Sequence, residues 1–183
     1  SKLEGTRSID DYHVNVFLAK ASEHYAQPIV ELLLNRVRRQ GTEGSRYDAI
    51  PSLGFREPLT GLTKSPDLEQ LLREIRDAFL EPGWSFEYWV PKLFGEVSSQ
   101  FASSASLKIL GEWIDSGDAS RIKAAARLVA AAPPQFVFSH VAFVSNLVGR
   151  AQIAGYDCHK CVSNSLASSA LGGLRSGTPG QPF

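Results

Sequence analysis

The chain has 183 residues, of which 43% are hydrophobic and 21% are charged, a composition typical of a soluble globular protein. Lysine plus arginine and aspartate plus glutamate both number 19, which argues against binding nucleic acid or an anionic membrane through bulk charge. Two cysteines exclude a disulfide scaffold, and no apolar run reaches the roughly 18 residues that span a bilayer. We therefore expect a cytoplasmic protein without a membrane segment.

The first third of the chain predicts a helical pair followed by a loop. Apolar residues at helical spacing predict one helix over residues 8–21 and a second from about Pro28 to Gly41. Residues 1–40 are therefore predicted to form an N-terminal helical pair. Residues 41–65 contain four glycines and two prolines without a sustained period, which predicts a long loop or linker.

The rest of the chain again shows helical periodicity. Apolar stripes predict helices over about 66–81, 86–97, 104–115 and 134–154, one from the Asp118 cap through Val129, and a last one from Asp157 to Gly172. The helix over 134–154 is apolar around most of its circumference, so we expect it to be buried between others. Residues 173–183 are predicted to be an extended, truncated tail, and the absence of methionine also suggests a fragment of a larger protein.

A faint internal repeat appears when three glycines are placed in register. Gly83, Gly117 and Gly155 lie 34 and 38 residues apart, and each interval contains one helix, a turn and a second helix. The register aligns two further sets of positions, Ile75 with Ile109 and Leu147, and Phe79 with Trp113 and Ala151. Periods of this length are typical of α-solenoids.

Residues 66–172 resemble HEAT-type helical repeats of the kind found in bacterial multidomain proteins. The resemblance lies in the segment from Ser116 to Leu128, and in the segment from Pro134 to Arg150 with Gly155 after it. It implies an all-α fold, an α-solenoid of antiparallel helix pairs in a HEAT-like superhelix. The family also implies a scaffold rather than a catalyst. The matching patterns of small and apolar residues specify architecture far better than activity.

Two short motifs suggest chemistry but lack the context that the chemistry needs. Cys158 and Cys161 form a CxxC pair, which is compatible with a redox site, a metal site or simple helix packing. No familiar histidine spacing completes a zinc site, and no βαβ pattern supports a thioredoxin-like one. Ser120 and Lys123 match the SxxK of serine acyl-enzymes, but no K-T-G accompanies them. We therefore predict no enzyme activity, no cofactor and no bound metal.

Two surface features indicate possible contacts. Arg36, Arg38 and Arg39 put positive charge at the end of the second helix, where it either matches the helix dipole or contacts a phosphate or an acidic partner. Trp84 and Tyr88 lie off the apolar stripe of their helix, so they are candidate exposed anchors for a partner.

The leading hypothesis is a non-enzymatic interaction scaffold that presents a surface to a protein partner or to an adjacent domain of the same chain. Charge is uneven along the chain, since residues 66–100 contain seven acidic and three basic side chains, and residues 101–183 contain four and seven. A solvated surface is the simplest interpretation of this asymmetry. The alternative function is a HEAT-like nucleic-acid-binding module with a local basic face, because HEAT-like folds can bind duplexes through basic concave faces. Its candidate residues are Arg121, Lys123, Arg127 and Arg150.

Overall fold

The computed structural model describes residues 8–9, 11–43, 48–51, 55 and 58–157. In these ranges the chain forms only helices, with no strand: α1 (Tyr12–Ser22), α2 (Ala26–Glu43), α3 (Thr60–Thr63), α4 (Leu68–Ala78), α5 (Trp84–Val97), α6 (Ser104–Asp115), α7 (Ala119–Ala130), α8 (Pro134–Ser139) and α9 (Val141–Ile153). The predicted all-α fold class is confirmed for this part of the chain. No helix within it is long and apolar enough to cross a membrane. The predicted helix after Asp157, the tail 173–183 and both cysteines lie outside the described residues.

The chain divides into two compact units, Ser1–Ile109 and Leu110–Phe183. The division falls inside α6. The predicted loop 41–65 therefore lies within the first unit and not at its boundary.

The core of the first unit is formed where α5 packs against both α2 and α4. The side chains buried there are large and aliphatic or aromatic, and they include Leu33, Val37, Leu72, Ile75, Val90, Leu93 and Phe94. Two contacts show that α2 and α4 run in the same direction. Gln27 near the start of α2 bonds Glu74, and Arg38 further along α2 bonds Glu81, which follows α4.

Helix α1 begins at a side-chain cap and ends against α3. The carboxylate of Asp11 accepts hydrogen bonds from the backbone N–H of His13 at 2.9 Å and of Val14 at 3.2 Å, which satisfies two otherwise unpaired donors. At the other end, Gly61 of α3 lies so close to the backbone of Ser22 that an added Cβ would be 2.2 Å from its carbonyl carbon. A side chain at position 61 would therefore separate α3 from α1.

Part of the predicted loop 41–65 is held firmly on α2. The guanidinium of Arg36 is fully buried and donates from Nε to the carbonyl of Ala49 at 2.8 Å and from Nη2 to that of Asp48 at 2.6 Å. The side chain of Gln40, one turn later, accepts from the backbone N–H of Ala49 at 2.9 Å. Both sequence interpretations of Arg36, as a solvated helix end and as a phosphate contact, are therefore wrong. The buried guanidinium donates hydrogen bonds to loop carbonyls that would otherwise lack donors.

The connection between α5 and α6 has an unusual backbone. Ser99, Gln100 and Phe101 have φ angles of 53°, 58° and 67°, a left-handed conformation that costs a residue with a side chain about 1 kcal/mol or more. The buried ring of Phe101, which packs on Phe94 at a centroid distance of 5.3 Å, holds this turn in place. The hydroxyl of Ser98 adds a hydrogen bond by accepting from the backbone N–H of Phe101 at 2.9 Å.

The second unit is built on the packing of α7 against α9. Ala124, Ala125 and Ala126 are buried on α7, and such small side chains permit close approach of the neighbouring helix. The single helix predicted over 134–154 is interrupted, because His140, with φ −129° and ψ 40°, separates α8 from α9. Its expected burial is also only partial, since Phe138 and two further apolar side chains, Val141 and Ile153, are exposed.

The positions aligned by the internal repeat share one property. All six of them are buried, namely Ile75, Phe79, Ile109, Trp113, Leu147 and Ala151. The three glycines of the same register all have positive φ, at 131°, 71° and 74°, so each occupies a turn that disfavours a side chain. The repeat itself remains a prediction.

Candidate protein-interaction surface

Three large apolar side chains are exposed together around the start of α5. The exposed fractions are 45% for Leu80, 52% for Trp84 and 49% for Tyr88. Trp84 and Tyr88 are four residues apart on one helix, so they project about 40° apart on the same side of α5. We call Leu80, Trp84 and Tyr88 the aromatic face. The two aromatic residues could be identified from the apolar stripe of their helix, whereas nothing in the sequence indicated Leu80.

The orientation of Tyr88 is fixed by its neighbours. Its ring meets the buried ring of Trp89 edge-on at a centroid distance of 4.7 Å. The amine of Lys92, one turn further, lies 4.0 Å from the centroid of the Tyr88 ring and donates to its hydroxyl at 2.9 Å. A side chain held in this way loses little conformational entropy when a partner covers it.

The two exposed aromatic residues of α1 do not share this arrangement. Tyr12 and Phe17 are also about half exposed on α1. Because they are five residues apart, they project about 140° from each other and cannot form one helix face. Isolated exposed apolar side chains are normal in soluble proteins, whereas adjacent ones need an explanation.

An acidic groove runs between α2 and α4 and ends at Glu81, next to Leu80. It has a volume of about 490 Å³ and is lined by Glu31, Leu34, Asn35, Arg38, Glu74, Asp77, Ala78 and Glu81. The buried side chains of Leu34 and Ala78 form its apolar floor, and four carboxylates line its walls. The excess of acidic residues over 66–100 is visible in the sequence, but their convergence on one groove is not.

Only part of the negative charge in this groove is compensated. Arg38 donates to both carboxylate oxygens of Glu81, at 2.6 and 3.1 Å, and these hydrogen bonds raise the pKa of the Arg38 guanidinium above its usual value. The buried Arg76 similarly pairs with Asp77 at 2.8 Å. Two carboxylates, those of Glu31 and Glu74, have hydrogen bonds from neutral amides instead.

The amide of Gln27 connects these two carboxylates. Its Nε2 donates to Glu31 at 3.2 Å and to Glu74 at 2.7 Å. The two bonded oxygens therefore lie within about 6 Å of each other with only a neutral group between them. A lysine or arginine side chain would compensate this pair better than an amide does.

The basic residues of the alternative hypothesis are spread around the second unit. Arg121 and Arg127 are exposed on α7, Lys123 is partly buried there, and Arg150 is exposed on α9. Helical geometry places Lys123 and Arg127 about 40° apart, but Arg121 projects at least about 120° from both. The three basic side chains of α7 therefore do not form one basic face.

Of the two short motifs, only the SxxK pair lies in the described part of the chain, and it gains no catalytic geometry there. Ser120 lies exposed in the first turn of α7, whose N-cap Asp118 accepts from the backbone N–H of Arg121 at 2.8 Å. A separate cavity of about 570 Å³ is lined by residues 22–28, 60–61 and 64–67, and its titratable side chains, such as His24 and Lys64, are exposed. Among the described residues, no group of three or more histidine, cysteine, aspartate or glutamate side chains is placed to hold a metal ion.

Comparison with known proteins gives no match to a protein-family model, a curated protein or a solved structure.

Proposed function

We propose that this chain is a non-enzymatic interaction scaffold, a HEAT-like α-solenoid whose aromatic face binds a protein partner or an adjacent domain of the same chain. The observation that carries the proposal is the exposure of Trp84 and Tyr88 on the same side of α5, with the exposed Leu80 in the turn just before that helix. Covering the exposed half of each aromatic ring would contribute about 2 kcal/mol, from roughly 25 cal/mol per Å² of apolar surface.

Helix directions support the solenoid part of the proposal. Parallel α2 and α4, with α5 packed against both, match the layering expected of stacked helix pairs. The buried positions of the internal repeat support it as well.

Site-specific photo-crosslinking tests the proposed interaction. A photoreactive phenylalanine analogue replaces Tyr88 in one protein and the equally exposed Phe17 in a matched control. We expect position 88 to form a discrete adduct with a protein, which is then purified and recombined. Excess unmodified protein should suppress the adduct, and Trp84→Ala in the same chain should abolish it. Equal crosslinking from positions 88 and 17, or none from position 88, would refute the proposal.

A further inference from the structure

We propose that the partner segment covering the aromatic face is a basic amphipathic helix, a proposal that rests on the function proposed above. Its apolar side would cover Leu80, Trp84 and Tyr88, and its lysine or arginine side chains would enter the acidic groove. Two properties of this region define that chemistry, the shape of the apolar surface and the sign of the charge next to it.

The turn between α4 and α5 joins the two surfaces. Glu81 lines the end of the groove, while Leu80 immediately before it and Trp84 shortly after it belong to the aromatic face. The groove extends from Glu74 to Glu81, which is about two helical turns, or roughly 10 Å. A helical segment that fills the groove and also covers the aromatic face must therefore be longer than two turns.

The charges select a cationic segment over an acidic one. Two of the four groove carboxylates pair with an arginine, since Arg38 binds Glu81 and the buried Arg76 binds Asp77. The other two have no cationic partner among the described residues. Glu31 and Glu74 are the pair that only neutral amides compensate. An acidic segment would add a further negative charge beside them, and like charges brought together at an interface oppose binding.

Substitution of Gln27 by lysine would place a cation of the chain itself in the groove. Lysine at position 27 would place an ammonium group between Glu31 and Glu74, where the amide now donates to both. This change leaves the fold intact, because it adds favourable charge to a partly exposed site. It should nevertheless exclude a partner's cation from the same carboxylates.

Three synthetic peptides provide the test. One is an amphipathic helix of leucine and lysine, the second has glutamate in place of every lysine, and the third keeps lysine but has serine in place of leucine. Binding to the full chain is measured by calorimetry and by acrylamide quenching of tryptophan fluorescence. Trp84 is the exposed one of the three tryptophans, so protection from quenching reports on the aromatic face.

We expect only the leucine–lysine peptide to bind and to protect Trp84. Trp84→Ala should weaken it about 30-fold and Glu31→Lys or Gln27→Lys about tenfold, corresponding to losses of roughly 2 and 1.4 kcal/mol. The matched controls Phe17→Ala and Glu23→Lys alter an equally exposed aromatic residue and an equally exposed carboxylate elsewhere. Neither should change the affinity more than about twofold.

The alternative outcomes separate this inference from the proposed function. Equal or tighter binding of the glutamate peptide, lost in Trp84→Ala, would refute the basic partner and leave the aromatic face as a docking surface. If Trp84→Ala left the affinity for the leucine–lysine peptide unchanged, the binding would reflect charge attraction without docking on the aromatic face, and the inference would be refuted. Protection of Trp84 by none of the peptides would refute it too, while the crosslink from position 88 tests the proposed function independently.

Discussion

The close contact between α3 and α1 makes Gly61 the glycine whose replacement we expect to be most damaging. A Cβ at Gly61 would lie 2.2 Å from the carbonyl carbon of Ser22 and 2.3 Å from the backbone nitrogen of Glu23. Ordinary carbon contacts begin near 3.4 Å, so α3 would have to move by more than 1 Å. Because the obstructing atoms are backbone, no rotamer change relieves the clash. We expect Gly61→Ala to lower the free energy of unfolding by about 3 kcal/mol.

Gly149 provides the matched control for this substitution. It lies exposed in α9, and an added Cβ there would meet no atom within 4 Å. Gly149→Ala should therefore raise the free energy of unfolding by about 0.5–1 kcal/mol, through helix propensity alone. Urea unfolding followed by far-ultraviolet circular dichroism measures both variants. A Gly61→Ala protein within about 0.5 kcal/mol of the unmodified chain would refute the contact between α3 and the end of α1.

Four further substitutions test the interior of the first unit by the same urea assay. Ser85→Ala removes a buried hydroxyl without a hydrogen-bond partner and should stabilise the protein by about 1 kcal/mol. Ser106→Ala removes a hydrogen-bonded hydroxyl and should destabilise the protein by a similar amount. Equal effects of the two substitutions would contradict this reasoning. Arg36→Met should cost about 3 kcal/mol because two loop carbonyls lose their donors, and a neutral result would contradict the buried clamp. Burial raises the pKa of Glu96 above its usual value of 4.5, because the folded state disfavours the ionised carboxylate. The resulting loss of folding stability is absent at low pH and develops as pH rises through the folded-state pKa. Glu96→Gln should therefore stabilise the protein at pH 7 and not at pH 3, and a pH-independent effect would contradict it.

The helices could be predicted from the sequence wherever a stripe of apolar residues was long and ended at a capping residue. The predicted helix over 104–115 coincides with α6, and Asp118 caps α7 as expected. Short or interrupted elements escaped this reasoning. Helix α3 has only four residues, too few to show a period, and the break at His140 lies inside a continuous apolar run.

Buried charge was the least predictable feature. Arg36 lies among other arginines at a helix end, where solvation is the ordinary expectation. Its burial depends on a loop that returns 12 and 13 residues later to place two carbonyls on it. No local sequence pattern indicates that backbone carbonyls of this loop will lie next to the Arg36 guanidinium.

One part of the candidate surface could be predicted from local sequence, and the other part depends on residues that are distant in the chain. The exposure of Trp84 and Tyr88 follows from their positions on one helix, so helical periodicity alone indicated it. The acidic groove requires the register of two helices, since Gln27 and Glu74 are 47 residues apart and meet only in the folded chain. The same register places the amide of Gln27 between Glu31 and Glu74. A lysine at position 27 would compensate both carboxylates internally, and the chain has a neutral amide there instead. The neutral amide is consistent with the inference drawn above, because a groove that receives a cation from a partner must leave this charge uncompensated until the partner binds.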